Sequence, residues 1–502
     1  MSKKNRKYYL SFLAVTFLLT LGIWLFRSKD CDNQDNKDSI ETEQNINYME
    51  ETTTGDGVIV WTIPFYSGPS DEIVNKFNRQ LEKDGYSFSL MFKTIDNENY
   101  REGLEEVLSS EGTDIAHLGF YEDLNQVQSI IRKGYFAELN DYLFSEKGEK
   151  LYSAYNKSLW KGVETDGKIY TIPNPVLRDG FFDVAFNKEY IPEDLAKSFS
   201  GDFGDLLRFI NEDIIKDEDI IPIIIGYHKF LFSYVLGYDY RNGVFLDCRT
   251  GEVKNPYDTE ELYNFFGLMN DMYKKGYLSK GNSFSDIGDT DLVRKKIAKL
   301  DFAIMHPIGE LDESLYEKVT IYRMPFYMFS RPAGSTGIAK SSKNKEAALQ
   351  LLTLLHTDEK YANLLVHGEE GVDYQLINGL IYNMDGTPRW MLNTMRALGL
   401  YDMIYPAEGE HFIINRKQQK HDLYNSAQKH DSVLLGFQIN ADNFTAEMRR
   451  VESISEKYLD IWREDNFEEL YQEAREVVGE ASKELIEELE RQIEEWRKLC
   501  TG

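Results

Sequence analysis

The chain has 502 residues, which is too long for one ordinary core, so two or three cooperating units are expected. Its 57 Lys and Arg residues against 85 Asp and Glu residues give a formal charge of −28. Such a charge repels phosphate backbones and argues against nucleic acid as a partner. Three widely separated cysteines, an odd number, argue against a disulfide framework and a cysteine-based metal site.

The N-terminus carries basic residues before an uncharged apolar run at 8–26. The run is long enough to span a bilayer, and positive charge before it predicts a cytoplasmic N-terminus and an extracellular body at the cell membrane. The small residues that cleavage or lipidation requires are missing before Cys31. An uncleaved membrane anchor is therefore favoured over a signal peptide or a lipidated cysteine. Residues 27–56 are polar and acidic and predict a disordered tether.

Strand and helix patterns alternate from residue 58 onward. Buried strands are predicted at 58–63, 88–92 and 114–119, with helices between them. The first helix has an apolar stripe formed by Ile73, Val74, Phe77 and Leu81. The alternation predicts parallel strands joined by right-handed crossovers, whose carboxyl ends converge on a crevice. We therefore expect ligand-binding loops after Ile63 and Gly119.

A second α/β set is predicted between about residues 180 and 300, with a strand at 220–225 and a helix at 260–274. Beyond about residue 444 the pattern becomes helical. Apolar residues from Phe467 to Trp496 keep three-and-four spacing, which predicts one long amphipathic helix. A break near Gly479 is left open.

Several stretches resemble those of a known family. Gly-Lys-Ile-Tyr-Thr-Ile-Pro at 167–173, followed by Phe-Asn-Lys at 186–188, resembles the first crossing between lobes in carbohydrate-type solute-binding proteins of ABC importers. Ser-Lys-Asn-Lys-Glu-Ala at 342–347 looks like the opening of a helix in that family. Gly-Glu-Glu-Gly-Val-Asp-Tyr at 368–374 and Gly-Phe at 436–437 are similar to one subfamily. The family's lipidation motif is absent.

The resemblance implies an α/β, two-lobed periplasmic-binding-protein-like fold of type II, with hinge crossings and an added C-terminal helical region. The two lobes would close around a ligand that contacts both. The predicted parts are an anchor or signal segment at 1–26, a tether at 27–56, a first lobe at 57–175 and 301–330, a second lobe at 176–300 and 331–440, and a helical region at 441–502 packed on the second lobe.

Sugar binding requires aromatic rings against the apolar faces of the sugar and a few planar polar groups for its hydroxyls. Candidate ligand-binding residues stand at predicted strand ends and crossings: Tyr66, Ser67, Phe120, Tyr121, Glu122, Asn174, Arg178, His228, Tyr234, His306, Glu370, Tyr374 and Trp390. Several have a structural alternative, which for His228 is core packing. The others are packing for Phe120, Tyr121, Tyr234 and Trp390, a hinge salt bridge for Arg178, a structural role for His306, and a plain turn around Glu370 and Tyr374.

Phosphate-loop, zinc-protease, serine-hydrolase and paired C-x-x-C patterns are absent from the sequence, so no enzyme, cofactor or metal site is expected. The predicted function is capture of a solute, with oligosaccharide favoured over simple sugar and peptide, and its delivery to ABC permease subunits. A membrane-anchored surface enzyme acting on polysaccharide and a ligand-sensing module are the alternatives.

Overall fold

The computed structural model describes residues 57–64, 68–96, 99–118, 129–173, 182–188, 191–198, 221–225, 232, 236–278, 298–302, 316–321, 326–328, 336–386, 398–400, 403–406, 429–441 and 443–501. The predicted anchor at 8–26 and the predicted tether at 27–56 lie outside these ranges. Within the ranges, no helix has both the length and the apolar composition needed to cross a membrane.

The strands are β1 Val58–Pro64, β2 Ser89–Ile95, β3 Ile115–His117, β4 Glu164–Thr165, β5 Lys168–Ile169, β6 Thr171–Ile172, β7 Phe182–Asn187, β8 Ile221–Ile225, β9 Tyr238–Arg241, β10 Val244–Asp247, β11 Val253–Lys254, β12 Ala298–Phe302, β13 Tyr316–Ile321, β14 Phe326–Met328, β15 Thr336–Ile338, β16 Tyr374–Ile377, β17 Leu380–Asn383 and β18 Lys429–Asp431.

The α-helices are α1 Asp71–Lys83, α2 Tyr100–Ser109, α3 Asn140–Leu143, α4 Glu149–Ser153, α5 Lys157–Gly162, α6 Glu193–Lys197, α7 Glu260–Lys274, α8 Lys345–Thr357, α9 Glu359–His367, α10 Thr445–Ser455 and α11 Phe467–Thr501. Short 3-10 turns lie at Pro256–Asp258, Glu456–Tyr458 and Ile461–Arg463.

The first sheet has the strand order β2-β1-β3-β15-β6. As predicted, β1 runs parallel to β2 and β3, because helical crossovers connect them. Helix α1 begins at the Ser70 cap and buries the predicted stripe, so Ile73, Val74, Phe77 and Leu81 all face inward. The first core joins this stripe to β1, α8 and α9.

The second sheet has the order β13-β7-β12-β8 and contains both parallel and antiparallel pairs. A smaller antiparallel sheet, β11-β10-β9, lies in the same half of the chain. The second core is built from aromatic and aliphatic side chains around α7, including Phe186, Phe245 and Phe266. The two sheets thus support two separate cores, as a two-lobed α/β fold requires.

The assignment of the later segments to lobes is corrected by the sheet pairing. Residues 301–330 are predicted for the first lobe, but β12 and β13 pair with β7 and β8 in the second sheet. Residues 331–440 are predicted for the second lobe, but β15 lies in the first sheet and α8 and α9 pack in the first core. The sequence pattern of a short strand indicates that the strand is buried but does not identify its partner strand. The partner is set by pairing with segments far away in the chain.

The C-terminal helix α11 is continuous over 35 residues and passes through Gly479 without a break. Its N-terminal part contributes Phe467, Tyr471 and Val478 to the second core, and its later turns pack against β10 and β11. A Cβ on Gly479 would lie 3.1 Å from the side-chain nitrogen of Asn255. The glycine therefore permits close approach to this loop rather than ending the helix.

Candidate functional site

One edge of the first sheet collects the ends of several strands. Strands β1, β3 and β6 run in the same direction, and β15 lies antiparallel between the last two. Their carboxyl ends at Pro64, His117 and Ile172 therefore share an edge with Thr336, the first residue of β15. The candidates Tyr66, Ser67, Phe120, Tyr121, Glu122 and Asn174 follow these ends by two to five residues in the sequence.

The second sheet has a corresponding edge. Strands β8 and β12 are parallel and end at Ile225 and Phe302, and the antiparallel β7 begins at Phe182 on the same side. His228 and His306 follow within four residues, and Arg178 precedes β7 by four residues. The crossing from Ile172 to Phe182 joins the two edges, and ten residue steps span at most about 35 Å.

Eleven of the thirteen candidate side chains lie outside the described residues, so their contact with ligand stays a prediction. They are Tyr66, Ser67, Phe120, Tyr121, Glu122, Asn174, Arg178, His228, Tyr234, His306 and Trp390. The structure places the strand ends before or after Tyr66, Phe120, Asn174, Arg178, His228 and His306, but not the side chains themselves.

Glu370 and Tyr374 are described, and they lie in a turn that leads into the β16–β17 hairpin. Tyr374 is buried, with its ring 5.7 Å from that of His367, whereas Glu370 is exposed. Gly368 and Gly371 beside them have φ angles of 87° and 79°. This is the geometry of the structural alternative, a turn that needs glycine at two left-handed positions.

The same turn is joined to α1 by an ion pair. The ammonium of Lys76 lies 2.5 Å from the Asp373 carboxylate, and the side chains are 13% and 18% exposed. The hydrogen bond to Asp373 is the main cause that raises the pKa of Lys76. The Gly-Glu-Glu-Gly-Val-Asp-Tyr motif thus fastens the hairpin to the first lobe.

Two buried polar side chains at the first edge were not among the candidates. His117 and Thr336 face each other across β3 and β15, and neither the His117 ring nitrogens nor the Thr336 hydroxyl has a hydrogen-bond partner in the part of the chain that the structure describes. Burial lowers the pKa of His117 to about 4. The available sequence signal was a histidine inside the predicted strand at 114–119, two residues before Gly119.

A strap at 431–440 follows β18 and contacts elements from both halves of the chain. Ser158 of α5 donates a 2.7 Å hydrogen bond to Asp431, and the Gln438 amide donates to the Gly162 carbonyl. Asn440 forms a reciprocal pair with Gln492 of α11 at 2.8 and 3.0 Å. The strap therefore links the first core to the C-terminal helix.

Gly436 lies in this strap with φ at 92°, and a Cβ there would meet the Lys161 carbonyl oxygen at 2.9 Å. We expect Gly436→Ala to lower the free energy of unfolding by about 2 kcal/mol, from left-handed backbone strain plus this clash. Gly276→Ala is the matched control, since Gly276 has φ at 75° but open space around it. Urea unfolding of both variants should give a larger loss for Gly436→Ala, and equal losses would show that the close contact has no effect.

Among the described side chains, no group of three or more His, Cys, Asp and Glu residues is arranged to hold a metal ion. The two edges instead bring together the strand ends that carry the aromatic and planar polar candidates. Clustered strand ends of this kind are suited to binding a ligand.

No family model matches the chain. It is similar to a carbohydrate ABC transporter substrate-binding protein of Streptococcus pneumoniae serotype 4, with 26% identity over 356 residues, which cover 65% of this chain and 68% of the relative.

Solved structures with the same fold include an N-glycan transport solute binding protein from Streptococcus pneumoniae, with a TM-score of 0.65, 19% identity, and coverage of 88% of this chain and 99% of that chain. Another is an HMO-binding, ABC-transporter-associated solute binding protein from Bifidobacterium longum infantis, with a TM-score of 0.60, 14% identity, and coverage of 89% and 98%. The predicted resemblance is confirmed, and the chain has the two-lobed α/β fold of solute-binding proteins.

Proposed function

We propose that the chain binds an oligosaccharide between its two lobes on the outer side of the cell membrane and delivers it to the permease of an ABC importer. The observation that best supports this proposal is the crossing from Ile172 to Phe182. It connects the edges of the first and second sheets at which the candidate positions follow or precede strand ends. Ligand contacts made from both edges favour the closed state, which is how hinge binding proteins retain a solute.

The relatives support the class of ligand. The Streptococcus pneumoniae structure is that of an N-glycan transport protein, and the Bifidobacterium protein is named for HMO binding. In this proposal Tyr66, Phe120 and Tyr121 supply ring faces from the first edge, and Arg178 offers a planar fork to paired hydroxyls at the crossing. The residues 8–26 anchor the protein so that it stays near its permease.

The test is thermal unfolding of the full-length protein with a panel of glycans and peptides. We expect one neutral glycan class to stabilise the protein by about 2.7 kcal/mol at one hundred times its Kd, with no product formed. Arg178→Ala should weaken binding by an order of magnitude or more, because two charge-assisted hydrogen bonds are lost. Lys83→Ala is the control, since Lys83 is an exposed residue of α1 far along the chain from the crossing.

Other results would contradict the proposal. Product that accumulates with the purified protein would favour the polysaccharide-acting enzyme. Stabilisation by peptides and not by glycans would show that the ligand is a peptide. Co-purification with a kinase in place of permease subunits would favour the ligand-sensing module.

A further inference from the structure

A groove of about 430 Å³ lies beside the strap, and its lining, as far as the structure describes it, includes neither Glu370 nor Tyr374. Arg132 and Asp166, from the stretch of chain that builds the first lobe, contribute to its lining. The other lining residues come from the strap, the start of α10 and the last turns of α11. The groove therefore lies at a junction of the two halves, and its described lining residues are not among those predicted for the cleft.

Aromatic rings form part of this groove. Trp496 of α11 is half-buried, and its ring centroid lies 5.7 Å from that of Phe437 at an angle of 62°. Phe444 is also half-buried and lines the groove. Phe437 is buried and holds the indole in place, while the indole remains partly accessible. A fixed, accessible ring is the surface on which the C–H face of a sugar stacks.

Planar polar groups with unused hydrogen-bonding capacity lie around the rings. Asp166 and Asn443 are exposed, and in the described part of the chain neither side chain has a hydrogen bond or an ion pair. Arg132 donates to the Gln438 and Ile439 carbonyls at 3.3 and 3.4 Å, which leaves other guanidinium N–H groups available. A carboxylate, an amide and a guanidinium can each pair with adjacent hydroxyls of one ring.

The charges of the groove disfavour an anionic ligand. Arg491 lies 2.7 Å from Glu488 and 2.6 Å from Glu495, so one arginine is shared between two lining glutamates. With Arg132 and Asp166, the charged lining residues are two arginines and three acidic residues, which leaves an excess of one negative charge. An anionic ligand would be repelled by this excess and by the protein's net charge of −28. A neutral polyol avoids that cost.

We propose that this groove is a second carbohydrate site, which binds one or two neutral sugar rings with Trp496 as the stacking surface. Its volume is at the lower end of the range for small-molecule pockets, so it suits a disaccharide rather than a long glycan. The proposal goes beyond the function proposed for the cleft and does not depend on it. Because Asp166 belongs to the first lobe and Trp496 to the C-terminal helix, an occupant contacts both sides of the junction.

The test is fluorine NMR of the full-length protein labelled with 5-fluorotryptophan, which gives one signal for each of its six tryptophans. The Trp496 signal is identified by its loss in Trp496→Phe, a change that keeps a ring against Phe437. We expect lactose and chitobiose to shift this signal in a saturable way. Asp166→Ala and Asn443→Ala should each raise the apparent Kd about tenfold, because each removes one hydrogen-bonding partner.

The variants separate direct contact from an indirect effect of the cleft. If Arg178→Ala removes the Trp496 shift while Asp166→Ala and Asn443→Ala leave it unchanged, the signal reports lobe closure and the second site is refuted. A Trp496 signal that stays fixed at saturating disaccharide refutes it as well. Glucuronate is the charged comparison, and an equal shift with glucuronate would overturn the preference for neutral sugars. If no glycan binds in the cleft, the Trp496 result still stands, so failure of the cleft proposal can be told apart from failure of the groove proposal.

Discussion

Asp114→Ala is expected to lower the free energy of unfolding by about 3 to 5 kcal/mol. The Asp114 carboxylate is fully buried and accepts hydrogen bonds from the Val60 amide at 2.9 Å and the Ser342 hydroxyl at 2.6 Å. Asn344 donates to it at 3.4 Å and to the Val58 carbonyl at 3.0 Å. The alanine variant leaves these donors without an acceptor in the interior, and urea unfolding measures the loss.

Two further variants show whether the carboxylate itself is responsible. Asp114→Asn keeps an oxygen that can accept from the Val60 amide, so its loss should be smaller than that of alanine. Ser342→Ala removes one donor and leaves the other hydrogen bonds in place, and its expected loss is about 1 to 2 kcal/mol. If Asp114→Ala and Ser342→Ala unfold at the same urea concentration, the network contributes only through Ser342 and the prediction is wrong.

Acid is expected to destabilise the protein through two buried histidines. Burial lowers the pKa of His117 to about 4 and that of His356 to about 3, from an ordinary value of 6.5. Below pH 6.5 the unfolded chain binds protons that the folded chain does not, so stability falls as pH decreases through this window. At pH 4 each histidine should cost about 3 kcal/mol relative to pH 7.

The measurement is the slope of unfolding free energy against pH between 6.5 and 4, for the parent protein and for His117→Gln and His356→Gln. Each glutamine cannot titrate, so each variant should lose part of the slope even if its stability at pH 7 is lower. The Tyr155 hydroxyl is hydrogen-bonded to the His356 ring, so His356→Gln should cost more at pH 7 than a change that breaks no hydrogen bond. A slope unchanged in both variants would contradict the attribution of the acid sensitivity to these two histidines.

The motif that carried part of the resemblance has a structural explanation. Ser342 and Asn344 of the Ser-Lys-Asn stretch tie the start of α8 to β1 and Asp114. Sequence predicted a helix opening here, but it could not show that the helix packs on the first sheet. That depends on Asp114 and Ser342, which are 228 residues apart in the chain.

For the candidate site, too, the sequence predicted local positions but not tertiary contacts. Alternation of strand and helix placed Tyr66 and Phe120 after strands that share an edge, because parallel strands have their carboxyl ends on one side. It did not separate Tyr374 from these candidates, since a tyrosine in a glycine-flanked turn suits both a binding loop and a buried anchor. The burial of Tyr374 against His367 favours the anchor, and contact of Tyr374 with a ligand stays a prediction.

The local elements could be predicted from the sequence alone: the buried stripe of α1, the parallel start of the first sheet and the long amphipathic C-terminal helix, whose continuity through Gly479 the sequence left open. These follow from the spacing of apolar residues, which each segment carries on its own. The fold itself was needed to show that β15 enters the first sheet, that β12 and β13 enter the second, and that the strap joins α11 to the first core. Those outcomes depend on pairing and packing between segments far apart in the chain, and no single segment encodes its partner.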